Sequence, residues 1–214
     1  MMCMLNKKYE SSINVNFYYM LYKYLFLYEE IYQLSQLSKT HIEKFLVYWY
    51  PRTFLDFSDE DVRDVIKNTR VYVEKCSEQV CIQGIETLEL DELENELLRV
   101  RKISAMVSCV KLEMKRKNVQ AGKSIWLQNN GNICIPYQML TSWFQISKIE
   151  QDVYILKGIR DSHLYYIKND NMFEKLGLQE EIITLEIYKE KEENWEINNI
   201  GLVYSPRAKK YLLD

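Results

Sequence analysis

The chain has 214 residues, of which 47% are hydrophobic, with only 6 Gly and 3 Pro and a formal net charge of −3. This composition supports a buried core, and so excludes wholesale disorder and a loop-rich or low-complexity protein. A net charge this close to zero leaves local charge patches, rather than a global bias, to define binding surfaces.

The first helix is expected over Asn16 to Leu34. Phe17, Met20, Leu21, Tyr24, Leu25, Tyr28, Ile31 and Tyr32 recur at threes and fours, which is one helical face. Tyr18, Tyr19, Tyr22 and Phe26 occupy the other face. A helix that is apolar nearly all round is buried on both sides or meets a partner, so these four residues are the candidate partner-binding set. The partner could be another protein or a second copy of the chain. The apolar run Phe17 to Tyr28 contains Lys23 and is too short for a membrane span, which needs about 20 residues. No small-residue cleavage site follows it, so the chain is read as cytoplasmic and without membrane contact.

A second helix is expected from a capping box at Thr40 and Glu43. It carries the stripe Ile42, Phe45, Leu46 and Trp49 and ends near Trp49 or Tyr50, because the residue before Pro51 resists helical geometry. A third opens at Ser58 ahead of Asp59, Glu60 and Asp61, which suit the positive end of a helix. Its stripe is Val62, Val65, Ile66, Thr69, Tyr72, Val73 and Cys76. A connection containing Gly84 follows.

The segment Leu37-Ser38-Lys39-Thr40-His41-Ile42-Glu43-Lys44-Phe45-Leu46, with the capped helix Ser58 to Cys76, resembles the SAM-like core-binding domain of tyrosine recombinases. The resemblance covers roughly residues 15 to 80 and implies a helical bundle that straddles DNA, in a protein accessory to a mobile element. Beyond residue 100 the family's Arg, His-x-x-Arg and nucleophilic Tyr are missing, and His163 has no Arg three positions on. Recombinase chemistry is therefore not implied.

The fourth helical pattern is long. Leu90, Leu93, Leu97, Val100, Ile103, Val107, Val110 and Met114 mark a helix from Leu90 to Lys117 that bridges two domains or kinks near Ser104; a strand over Ala105 to Met114 is the alternative. Charge reverses along it. Gly84 to Leu98 holds six acids (Glu86, Glu89, Asp91, Glu92, Glu94, Glu96) and no base. Arg99 to Lys123 holds eight bases (Arg99, Arg101, Lys102, Lys111, Lys115, Arg116, Lys117, Lys123) against Glu113. The helix dipole favours bases only in the last turn, so Arg99 to Lys102 need another reason. A basic ridge against phosphate is the candidate nucleic-acid-binding site, with an acidic protein surface as another occupant and a plain solvated helix face as the reading without a partner.

After Lys117 the period shortens. Asn129-Asn130-Gly131 is a hairpin signal between Ser124–Leu127 and Asn132–Ile135. Further hairpins are expected from Val153–Leu156 with Leu164–Ile167, and from Ile182–Tyr188 with Trp195–Val203. Short helices are expected near Tyr137 to Phe144 and Asn171 to Leu176, the second closed by Gly177. A last one opens at Ser205-Pro206 and docks through Ala208, Tyr211 and Leu212. The stretch Phe173 to Leu185 resembles the helix-to-strand step of small swapped or closed β-barrels. The expected fold is α+β: a helical bundle over residues 1–117, then a small antiparallel β-barrel-like domain over 118–214.

No catalytic or metal-binding set stands out. The five Cys (Cys3, Cys76, Cys81, Cys109, Cys134) lack metal-ligand spacing, and only His41 and His163 accompany them. Cys134 with His163 is a weak nucleophile–base pair, since Cys134 lies between Ile133 and Ile135. Gly122-Lys123-Ser124 has only the tail of a phosphate loop. The glutamates Glu190, Glu192 and Glu193 read as a solvated turn. The expected function is non-enzymatic nucleic-acid binding without a cofactor; the alternatives are a protein-interaction module, whether adaptor, inhibitor or homodimer, and, third, an enzyme with a small pocket in the barrel.

Overall fold

A computed structural model of the chain describes residues 15–54, 57–120, 138–150, 153–168, 172–189 and 194–213. Helices come first and a five-stranded antiparallel sheet follows. The chain divides into two compact units, residues 1–98 and 99–214. The division falls between Leu98 and Arg99, inside the long helix rather than at its end near residue 117.

In the first unit, α1 (Val15–Lys23) runs into a wider π turn at Tyr24–Tyr28. The helix stops there, short of the expected Leu34. Glu30 takes a left-handed φ of 54°, and the Ile31 N–H reaches back to the Leu25 carbonyl at 2.8 Å. That seven-to-one closure is one residue wider than a Schellman bond, as the π turn requires, and it sets a left-handed residue where Gly is usual.

Helix α2 (Lys39–Lys44) continues through a π turn at Phe45–Trp49 into α3 (Tyr50–Thr53). Two expectations are corrected here. The N-cap is Ser38, not Thr40: Ser38 N–H donates to His41 Nδ1 at 3.1 Å, and its Oγ lies 2.9 Å from the same nitrogen. Glu43, the expected return partner, is instead buried. Nor does Pro51 end the helix, since the wider turn before it offsets the carbonyl that a proline ring would strike in a regular helix.

Helix α4 (Asp59–Ser77) follows the sequence closely. The Asp61 N–H donates to Ser58 Oγ at 3.1 Å, and the Ser58 N–H returns to Asp61 Oδ2 at 2.7 Å. Val62, Val65, Ile66, Thr69, Tyr72 and Cys76 are buried. Much of the first unit's core is aromatic. Phe45 touches Phe17, Tyr24 and Trp49 at ring separations of 6.1, 5.4 and 5.6 Å, within the range where edge and offset contacts add to burial.

The long helix α5 is continuous from Leu90 to Gln120, 31 residues. The strand alternative for 105–114 is thereby excluded. All of the predicted stripe from Leu90 to Val110 is buried.

The second unit is built on a sheet of β1 (Gln138–Ile149), β2 (Val153–Gly158), β3 (Leu164–Lys168), β4 (Ile182–Lys189) and β5 (Glu196–Tyr204), in the order β3-β2-β1-β4-β5. The β2–β3 and β4–β5 hairpins occur where expected. Residues 138–144, expected as a short helix, belong to β1 instead. Met139, Leu140, Trp143 and Phe144 imitate helical spacing, but β1 pairs with β2 on one side and β4 on the other, and that ladder overrides the local pattern. The hairpin expected around Asn129-Asn130-Gly131 lies outside the described residues.

The sheet is not closed into a barrel. Among the described residues, its edge strands β3 and β5 approach only near one parallel bridge, Ile167 with Trp195, where Trp195 N–H donates to the Tyr166 carbonyl at 3.0 Å and Lys168 N–H to the Trp195 carbonyl at 3.1 Å. One face of the sheet packs on α5: Val100, Ile103, Val107 and Val110 join Phe144, Tyr154, Leu156, Ile167, Ile183, Leu185, Ile187, Ile200 and Val203. Phe173 and Leu176 of α6 (Met172–Leu176) complete this core. Gly177, at φ 62°, closes α6 as expected. The chain's last turns are a 3-10 turn Pro206–Ala208 and α7 (Lys209–Leu212), with Ala208, Tyr211 and Leu212 buried.

Candidate nucleic-acid interface

The described basic residues of α5 do not all face the same way. Arg99 is committed to its own unit: Nε donates to Glu181 and Nη2 to the Gly177 carbonyl, the latter at 3.1 Å. Glu181 is 4% exposed. Its burial alone would raise its pKa, but the hydrogen bonds from Arg99 and from the Gln179 N–H outweigh that and hold it below the usual carboxylate range. Arg101 and Lys111 are half-buried and engaged with neighbouring groups. Lys102 and Arg116 are exposed. They are separated by fourteen positions, which at about 100° and 1.5 Å per residue places them on one face roughly 21 Å apart. Between them that face shows Ala105, Cys109 and the acid Glu113, all exposed, with Glu113 3.3 Å from Lys175 Nζ. The side chains of Lys115 and Lys117, and the whole of Lys123, lie outside the described residues.

The division into units sharpens the charge reversal seen in the sequence. Residues 1–98 hold 10 Lys and Arg against 17 Asp and Glu, a net of −7; residues 99–214 hold 18 against 14, a net of +4. The sign therefore changes where the compact units divide.

A second group of cations lies on the sheet, and sequence reasoning missed it. In the β2–β3 hairpin, Tyr154, Leu156 and Ile167 point into the core. By the two-residue alternation of strands, Val153, Ile155 and Lys157 of β2 share the opposite face with Leu164, Tyr166 and Lys168 of β3. The register sets Lys157 beside Leu164, Ile155 beside Tyr166 and Val153 beside Lys168. Lys157, Leu164, Tyr166 and Lys168 are exposed. In the turn beyond β2, the Arg160 guanidinium lies 4.5 Å from the centre of the Trp143 ring, a cation–π stack. The single acid of residues 153–168, Asp161, accepts hydrogen bonds from the Tyr165 hydroxyl and the His163 N–H. The Tyr165 contact holds Asp161 below the usual carboxylate range. Tyr165 is itself pushed up to about 12 by burial and by that carboxylate. Part of the signal was in the sequence: Tyr166 and Lys168 have the same parity, while Lys157 joins their face only through the hairpin register that pairs it with Leu164.

In the first unit the predicted aromatic set splits. Tyr18 packs inward against Phe17 and Tyr72 at ring separations of 5.3 and 6.0 Å. Tyr19 and Tyr22 are exposed, and Phe26 is half-buried. Tyr22 stacks on Phe26 at 5.2 Å, and Phe26 meets exposed Tyr32 edge-on at 5.0 Å.

The remaining chemistry is sparse. His41 accepts from the Ser38 N–H, and burial lowers its pKa. His163 is exposed beside Asp161; Cys134, its weak candidate partner, lies outside the described residues, as does Gly122-Lys123-Ser124. Cys76 is buried, while Cys81 and Cys109 are exposed thiols. Among the described residues, no cluster of His, Cys, Asp or Glu is arranged to hold a metal, and no helix is long and apolar enough to cross a membrane. Comparison with family models, with curated proteins and with solved structures finds no match to the chain.

Proposed function

We propose that the chain is a nucleic-acid-associated binding protein that contacts phosphates through its second unit. The observation that supports this is the segregation of charge between the units, −7 against +4. Cations gathered on one unit gain by displacing the counterions condensed on a phosphate backbone, an effect that needs local charge and not a basic whole. Lys102 and Arg116 on α5 and Lys157 and Lys168 on the sheet are exposed members of that set. A Lys102→Glu/Arg116→Glu variant should bind a labelled mixed-sequence oligonucleotide more weakly than the parent chain in fluorescence anisotropy. A parent chain that binds no oligonucleotide at low salt would overturn the proposal.

A second reading is favoured by the aromatic cluster of the first unit. Tyr19 is 66% exposed and Tyr32 57%. Rigid aromatics open to solvent are characteristic of protein interfaces. Here the acidic unit carries a protein contact while the basic unit carries the nucleic-acid contact. Sedimentation of the chain against its Tyr19→Ser/Tyr22→Ser variant tests whether the partner is a second copy. A parent dimer that becomes monomeric identifies one; a monomer in both cases eliminates it.

A further inference from the structure

We infer that the outward face of the β2–β3 hairpin is a site for single-stranded nucleic acid, with a base stacking on Tyr166 between phosphate contacts from Lys168 and Lys157. This rests on the reading that the second unit binds nucleic acid, and adds which face does so and which form it takes.

The placement follows from register. Tyr166 stands beside Ile155, with the Val153–Lys168 pair two residues to one side and the Lys157–Leu164 pair two residues to the other. At about 3.3 Å per residue, a cation lies roughly 7 Å along the strands from the ring on either side. The Tyr166 ring is 48% exposed and rests on a paired, rigid strand, so ordering it costs little on binding. Leu164, 50% exposed, and half-buried Ile155 extend the apolar floor. Arg160, stacked on Trp143, continues the surface past the end of β2. Neither strand contributes an acid to this surface; Asp161 in the turn is taken up by Tyr165 and His163, and exposed Glu150, just past β1, is paired with Lys148.

The same geometry selects the form of the ligand. A ring lying on a sheet can stack only on a base whose own stack is open, as in a single strand; a duplex offers it phosphates alone. Aromatic stacking also tolerates any base, so the site is expected to show little sequence preference.

The test is fluorescence anisotropy on the full chain, with a labelled mixed-sequence single strand and the duplex of the same sequence. The parent should bind the single strand more tightly than the duplex. Tyr166→Ala should weaken single-strand binding roughly tenfold and leave duplex binding unchanged, while Tyr166→Phe should retain both. Unchanged thermal midpoints confirm that these exposed substitutions leave the fold intact. Duplex binding as tight as single-strand binding, or a Tyr166→Ala variant that binds like the parent, overturns the inference. If Lys102→Glu/Arg116→Glu still weakens binding in that case, the wider proposal stands without it. Absence of binding to either form removes both, and leaves Lys168 as a guard against edge-to-edge pairing of β3.

Discussion

Arg99 and Glu181, 82 residues apart in the chain, are joined by a direct ion pair in which the carboxylate is buried and the guanidinium also reaches the Gly177 carbonyl. The pair ties the start of the basic half of α5 to the loop that feeds β4. It also turns the Arg99 guanidinium toward its own unit, although the side chain stays 41% exposed.

Arg99→Ala should lower the stability of the second unit by about 1–3 kcal/mol, because it leaves a buried carboxylate without its partner. Denaturant titration of the variant against the parent measures this. The pH dependence has a definite sign. Glu181 is held below its unfolded value, so its contribution is fully present above the ordinary carboxylate pKa and is lost as pH falls through the folded value. That acid-side loss should be smaller in Arg99→Ala than in the parent.

His41 should make the first unit sensitive to mild acid. Burial lowers its pKa, and its Nδ1 must stay unprotonated to accept from the Ser38 N–H. The stability it supports is present above the ordinary imidazole value of about 6.5 and is lost as pH falls through the lower folded value. His41→Gln keeps an acceptor three residues after the cap and should flatten this dependence. Parallel denaturant titrations across mildly acidic pH would show whether the two curves diverge.

Gly201 should not tolerate a side chain. A Cβ there would lie 2.7 Å from Thr184 Cβ and 3.2 Å from the Thr184 carbonyl oxygen. The neighbour is largely backbone and β-branched carbon on the paired strand, so it cannot swing aside. Gly201→Ala should cost about 1–3 kcal/mol, read as a lowered thermal midpoint. Gly201→Ala/Thr184→Gly should recover part of it.

Ser58→Ala removes the acceptor for the Asp61 N–H at the start of α4 and should cost about 1 kcal/mol. The Ser58 contacts also hold the Asp61 carboxyl below its usual range, so the effect of the substitution should shrink as Asp61 protonates.

The legible parts of this fold were those where one local signal dominates. The stripe and cap of α4 and the unbroken stripe of α5 bury nearly all that their spacing marks, Val73 and Met114 being half-buried. Where two signals competed, the local one lost. Residues 138–144 have helical spacing but sit between two partner strands, and Pro51 lies inside a helical run that a preceding π turn accommodates. The cap at Ser38 was hidden because its return partner is His41 rather than Glu or Gln. The proposed binding surface was less legible still. The basic run of α5 is continuous in sequence, but Arg99 turns to Glu181 and the exposed acid Glu113 lies between Lys102 and Arg116. Lys157, Tyr166 and Lys168 come together only through the register of a hairpin.

The salt dependence of single-strand binding tests the central claim most directly. Binding should weaken linearly in a plot of log affinity against log salt. The Lys157→Glu/Lys168→Glu variant should bind more weakly, with a slope shallower by roughly 1.4, since each phosphate contact on a single strand contributes about 0.7. An affinity indifferent to salt, or a variant whose slope and affinity match the parent's, would contradict the account.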